Sequence, residues 1–120
     1  MQDPDVSGAR APDLTIVLTT TESDGQARAL ARALLEAGLA ACVQLSRIDS
    51  LYRWQGEIEE GPEIRVMIKT RRTLRDRVLA FVREHHPYDE PQLVALDADA
   101  VSRGYLAWLL DATEVEAPER

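Results

Sequence analysis

ACVQLSRIDSLYRWQGEIEEGPEIRVMIKT, residues 41 to 70, is the stretch that decides the fold. EIRVMIKT alternates without a break and sets Ile64, Val66 and Ile68 on one side, the period of a strand with one buried face. Val43 and Leu45 alternate in the same way. Ile48, Tyr52 and Trp54 then take the other parity, so the apolar phase slips by one residue between Leu45 and Ile48. A strand that keeps pairing through such a slip is expected to carry a bulge or a sharp bend. Gln55-Gly56 reads as a short turn, and Glu57-Ile58-Glu59 starts a return arm. Gly61-Pro62 predicts a second irregularity on that arm. The whole is a hairpin whose arms far exceed the ~5–6 residues of an average strand. Such an arm cannot rest entirely on one small sheet, and its tip carries the large amphipathic side chains Tyr52 and Trp54. Residues of this kind are enriched at interfaces. We therefore assign Tyr52 and Trp54 to contacts between copies of the chain, against the alternative of a twisted hairpin folded over its own core.

Working outward, LTIVLTT (residues 14 to 20) is short, β-branched and apolar through its middle, as a central strand requires. A helix over residues 24 to 37 follows. Ser23 and Gln26 have capping-box spacing, Ala27, Leu30, Ala31 and Leu34 form its apolar stripe, and Gly38 is placed to end it. Beyond the hairpin, RTLRDRVLAFVREHH reads as a second helix, with Thr73 and Asp76 resembling a cap and its partner and Leu74, Val78, Phe81 and Val82 as the stripe. PQLVALDA is a last strand, and SRGYLAWLL a short closing helix with Tyr105, Trp108 and Leu109 on one face. The order β-α-β-β-α-β is that of an α+β, ferredoxin-like sandwich, here with a long central hairpin and a short C-terminal helix. Residues 1–12 mix Pro, Gly, Ser and Asp without periodicity and are expected to be a disordered arm. Residues 13–113 form the domain, and 114–120 a flexible tail.

A chain of 120 residues suits one domain with a core of its own. The net charge of −7 opposes phosphate backbones, so nucleic-acid binding is not expected. No run of about 18 apolar residues occurs, so no membrane insertion is expected. The start lacks the apolar stretch of a signal peptide and Cys42 is the single cysteine, which together suggest the cytoplasm. No glycine-rich phosphate loop, HExxH, CxxC or nucleophile elbow is present, so no enzyme is expected.

The candidate chemistry lies in EHHPYDEPQ, residues 84 to 92, which holds both histidines. His85 lies eleven residues after Leu74, about three turns of 3.6 residues, and so falls on the apolar stripe. A histidine there is more often a packing residue than a ligand. His86 points about 100° away while both stay helical, but Pro87 pushes it out of the helical region. The helix end offers free carbonyls and a negative pole, both favourable to a cation. Two imidazoles with a carboxylate such as Glu84 or Asp89, or with water, suit Cu(II), Ni(II) or Zn(II). A helix stop and an open metal site at His85 and His86 are compatible readings. Cys42 reads as a buried, inert thiol. Asp97 and Asp99 read as a solvated loop.

LAACVQL, SLYRWQGEIE, EIRVMIKT, HHPYDEPQ and YLAWL, in this order and spacing, resemble the CutA family of divalent-cation-tolerance proteins from about Leu14 to Leu110. The resemblance implies a ferredoxin-like homotrimer, similar in architecture to the PII signalling proteins, that binds Cu(II) and acts in the response to metal ions. It implies no obligatory cofactor. Some members carry a cysteine at the end of the first strand that is linked to copper, where this chain has Thr19. It also implies a cleft between subunits where Trp54, Lys69, Tyr88 and Glu90 gather. A PII-like signalling module that binds a small anion in such clefts is the alternative function.

Overall fold

The computed structural model describes residues 6–7 and 12–113, so most of the expected arm and all of the tail lie outside the described residues. The elements run β1 (Val6–Ser7), β2 (Thr15–Thr21), α1 (Asp24–Glu36), β3 (Cys42–Trp54), β4 (Glu57–Thr70), a 3-10 turn (Arg72–Leu74), α2 (Arg75–His85), β5 (Val94–Asp97), β6 (Val101–Ser102) and α3 (Arg103–Ala112). The main sheet has the order β3-β4-β2-β5, antiparallel throughout. β2 and β3 flank β4 and are therefore parallel to each other, the split β-α-β arrangement that the element order predicts. Within the expected arm, Val6 and Ser7 pair with Ser102 and Val101.

The hairpin is regular, contrary to both expected irregularities. All 13 residues of β3 have partners in one register, from Cys42 with Lys69 to Trp54 with Glu57, and no bulge interrupts them. The apolar phase slips because the two ends of β3 bury different faces, not because the pairing slips. Val43 and Leu45 face the helices, whereas Ile48, Tyr52 and Trp54 face the other side. Gln55 (φ 51°) and Gly56 (φ 82°) are both left-handed, which makes the type I′ turn that matches strand twist. Such a two-residue turn is closed by a hydrogen-bonded pair, here Trp54 and Glu57. Counting back, Asp49 and Pro62 form a non-hydrogen-bonded pair. The proline nitrogen therefore faces away from β3, and β2 joins β4 only from Ile64 onward, so no ladder bond is lost.

The helices cover one face of the sheet. Val17, Ile64, Val66 and Ile68 from the strands meet Leu30 and Leu34 of α1 and Val78 and Val82 of α2, all in one buried cluster. α1 begins with the expected capping box of Ser23 and Gln26. It ends in a Schellman motif at Gly38 (φ 74°), with Gly38 N–H on Leu35 O and Leu39 N–H on Leu34 O. α2 departs from expectation at its start. Thr73 makes no cap, because the 3-10 turn runs straight into the helix through Leu74 N–H on Arg71 O. Arg71 fastens the end of α3 by donating to Thr113 Oγ1 (2.9 Å) and to the Leu110 carbonyl. The opposite sheet face is only partly covered, and Val94 and Leu96 remain exposed.

Thr19 is fully buried, and its hydroxyl has no hydrogen-bond partner among the described residues. An unsatisfied buried hydroxyl costs about 1–3 kcal/mol. Thr19→Val keeps the shape and removes that cost, so it should raise stability by about 1 kcal/mol in chemical denaturation. A loss of stability would mean that the hydroxyl has a partner in solution.

Candidate functional site

Two consecutive histidines meet opposite fates at the end of α2. The helix stops at His85, and His86 adopts φ −79°, ψ 140°, as the following Pro87 requires. His85 is exposed although its helical position lies on the apolar stripe. Its ring stacks on Phe81 at 4.0 Å, and Nδ1–H donates to the Phe81 carbonyl at 2.9 Å. That bond sets the neutral tautomer and leaves the Nε2 lone pair open. His86, which the stripe excluded, is buried at 9% exposure. Its extended backbone turns the ring against β2, where Nε2–H donates to Thr20 O at 2.8 Å and Nδ1 accepts from Tyr88 N–H at 3.0 Å. As folded, the pair offers one open nitrogen, not two. No group of three or more His, Cys, Asp or Glu side chains that could hold a metal occurs among the described residues.

The loop after His86 forms one wall of a groove of about 1240 Å³ on the open sheet face. Of the residues expected in a cleft, Trp54, Tyr88 and Glu90 gather here, and Tyr52 joins them. Lys69 does not. It lies beside Cys42 in the register, ten residues along β4 from Glu59, the partner of Tyr52. At about 3.3 Å per residue that is some 30 Å away. Its ammonium sits 5.6 Å from the ring centre of Tyr105, a cation–π distance.

The groove also contains residues that the sequence reading left out: Ser50, Glu63, Arg65 and Thr20. Ser50 Oγ donates to Glu63 Oε1 at 2.6 Å, and the Tyr88 hydroxyl points at Glu63 Oε2 at 3.5 Å. The signal for Glu63 was present. Counting back from the Gln55-Gly56 turn sets it opposite Ile48, on the same face as Tyr52 and Trp54. Asp49, Glu63, Asp89 and Glu90 outnumber Arg65 among the lining residues, so the groove favours a cation over an anion. Burial pushes the Tyr88 hydroxyl above its ordinary pKa, and the charges of Glu63 and Glu22 push it further.

Other candidates fall elsewhere. Thr19 faces the helix layer and is fully buried, out of reach of an open ligand sphere. Cys42 is half-buried at the start of β3, not in the core. Asp97 is no free loop carboxylate, since it pairs with Arg72 and Arg75, each at 3.5 Å. Asp99 is exposed.

Residues 15–112 match the family model described as CutA1 divalent ion tolerance protein. The chain belongs to that family. The divalent-cation tolerance protein CutA of Pyrococcus horikoshii is 36% identical over 101 residues, covering 84% of this chain and 99% of that one. The mouse protein CutA is 37% identical over 116 residues and covers 94% of this chain, which spans only 66% of the mouse protein. The solved structure of CutA from Synechococcus elongatus superposes with a TM-score of 0.85 at 36% identity, covering 91% of this chain and 96% of that one. The α+β fold with its antiparallel sheet is thus the CutA fold, and the Pyrococcus relative is named for divalent-cation tolerance.

The Glu63–Tyr88 contact can be read directly. In Glu63→Gln, Tyr88 should ionise at lower pH than in the parent protein, while burial keeps it above an ordinary tyrosine. Phenolate absorbance against pH measures this. An unchanged titration would mean that Glu63 does not face Tyr88 in solution.

Proposed function

We propose that this chain is a cytoplasmic, homotrimeric divalent-cation tolerance protein that binds Cu(II) or a similar divalent ion as cargo and is not an enzyme. The observation that carries the metal reading is His85. A metal-binding imidazole usually donates its other N–H to a carbonyl or carboxylate, which fixes the tautomer and the ring. His85 has that arrangement before any metal arrives, with Nδ1–H on Phe81 O, the ring stacked on Phe81 and Nε2 open. One imidazole completed by water or by the neighbouring Glu84 carboxylate makes an open, weak site. Its nitrogen and oxygen donors suit Cu(II), Ni(II) or Zn(II).

Assembly is supported by the hairpin tip, which exposes Tyr52 (51%) and Trp54 (58%) on one face and Leu51 (65%) and Ile58 (70%) on the other. A monomer rarely leaves a projecting arm apolar on both faces in water. The number of copies, three, rests on the family resemblance. The groove favours a second reading, a PII-like module that binds a small molecule between subunits. Its acidic lining favours a cationic ligand over the expected anion, and Lys69 would enter such a cleft only from a neighbouring copy.

Calorimetric titration with Cu(II) tests the metal site. Binding should be lost in His85→Ala while the assembly persists, and equal binding in parent and variant would move the metal elsewhere. Trp54→Ala should weaken assembly by about 2 kcal/mol or more, as for an aromatic interface anchor, without unfolding the domain. Sedimentation showing an undisturbed oligomer at low micromolar protein would remove Trp54 from the interface.

A further inference from the structure

We propose that His86 is a positioning residue, the latch that holds the loop of residues 86–92 against β2, and that it is not a metal ligand. Because Trp54 and Glu57 close the hairpin, the odd-numbered residues of β4 bond to β3 and the even-numbered ones to β2. Thr20 lies opposite Arg65, an odd position, so its backbone polar groups point away from β4, towards β5. β5 does not reach that far. Its pairing with β2 ends at Leu18 and Val94. The Thr20 carbonyl is therefore an edge acceptor left open by a short strand, and a buried carbonyl must find a donor. His86 Nε2–H is that donor, at 2.8 Å.

The other ring nitrogen works on the loop itself. Tyr88 N–H donates to Nδ1 at 3.0 Å, a side chain accepting from the backbone two residues on, as an asparagine does in an Asx turn. The two rings then pack at 4.7 Å. This geometry carries Tyr88 over Glu63 and aligns Asp89 and Glu90 along the groove. A metal ion that took either nitrogen of His86 would strip a partner from Thr20 O or from Tyr88 N–H, leaving that group unpaired in a buried place. Metal at His86 and a closed groove wall are mutually exclusive. The division of labour is His85 for the ion and His86 for the wall. The metal half of this statement rests on the reading of His85 proposed above, and the latch does not.

The test uses the full chain, with His86→Ala and His86→Asn beside His85→Ala. Hydrogen exchange at the Tyr88 amide reads the latch. It should speed up at least tenfold in His86→Ala and recover most of its protection in His86→Asn, whose side-chain oxygen can accept the same bond. Unchanged Tyr88 exchange in a folded His86→Ala, or no recovery in a folded His86→Asn, would overturn the latch. Copper alone is the probe for the second half. Electron paramagnetic resonance should show one imidazole nitrogen on Cu(II), kept with affinity within about twofold in His86→Asn and absent in His85→Ala. Two imidazole nitrogens in the parent protein, or copper lost in His86→Asn with Tyr88 still protected, would make His86 a ligand and overturn its exclusion. If the parent takes up no copper, the metal reading fails, and Tyr88 exchange alone decides the latch.

Discussion

Everything in this fold is referred to the unbroken ladder between β3 and β4. Once the type I′ turn at Gln55-Gly56 fixes which pair closes the hairpin, every later pair is fixed, because one step of slippage would exchange the two faces. Val43 and Leu45 then go under the helices with Val66 and Ile68, while Ile48, Tyr52 and Trp54 go to the open face. The same count decides which backbone groups of β4 are left for β2. Through β2 it decides where Thr20 presents its carbonyl. The seat of the His86 ring and the wall of the groove both follow from a turn at the far end of the hairpin.

The end of α2 shows how one residue type can alter the role of its neighbours. Without Pro87, His86 would continue the helix and point about 100° from His85. Proline forbids that, and the extended backbone of His86 delivers its ring to β2 instead. His85, the last helical residue, loses cover on the apolar stripe and stacks on Phe81 at the surface. A paired-histidine motif therefore need not be a chelate. Here the two rings serve different neighbours, and hydrogen bonding gives each its own tautomer.

Negative charge and exposed aromatic surface meet at the hairpin end of the sheet. The groove brings aromatic rings together with four carboxylates and one arginine, a lining for a cationic ligand. Its aromatic lip, Tyr52 and Trp54, belongs to a hairpin tip that is exposed in the single chain. Under the function proposed above, any oligomer that uses this arm shares Tyr52 and Trp54 with the groove. Within the chain, Lys69 and Tyr105 stand together at the other end of the sheet, away from this groove.

The sequence alone determined the order of elements around the main sheet but not the small β1-β6 pair, together with the capping box at Ser23, the stop at Gly38, the hairpin and its turn, and the family, because these are local patterns or ordered motifs. It misjudged the hairpin as bulged, since a parity change in apolar residues looks the same whether the pairing slips or the buried face changes. It also misjudged the 3-10 start of α2, which uses a backbone bond that no side chain announces. Only the tertiary structure decided that Glu63 and Ser50 join Tyr88, that Lys69 stands apart, and which histidine is buried. Each depends on a partner distant in sequence. Thr20, which receives the His86 ring, is 66 residues away, and no local periodicity records an unfilled carbonyl at the edge of a strand that ends too soon.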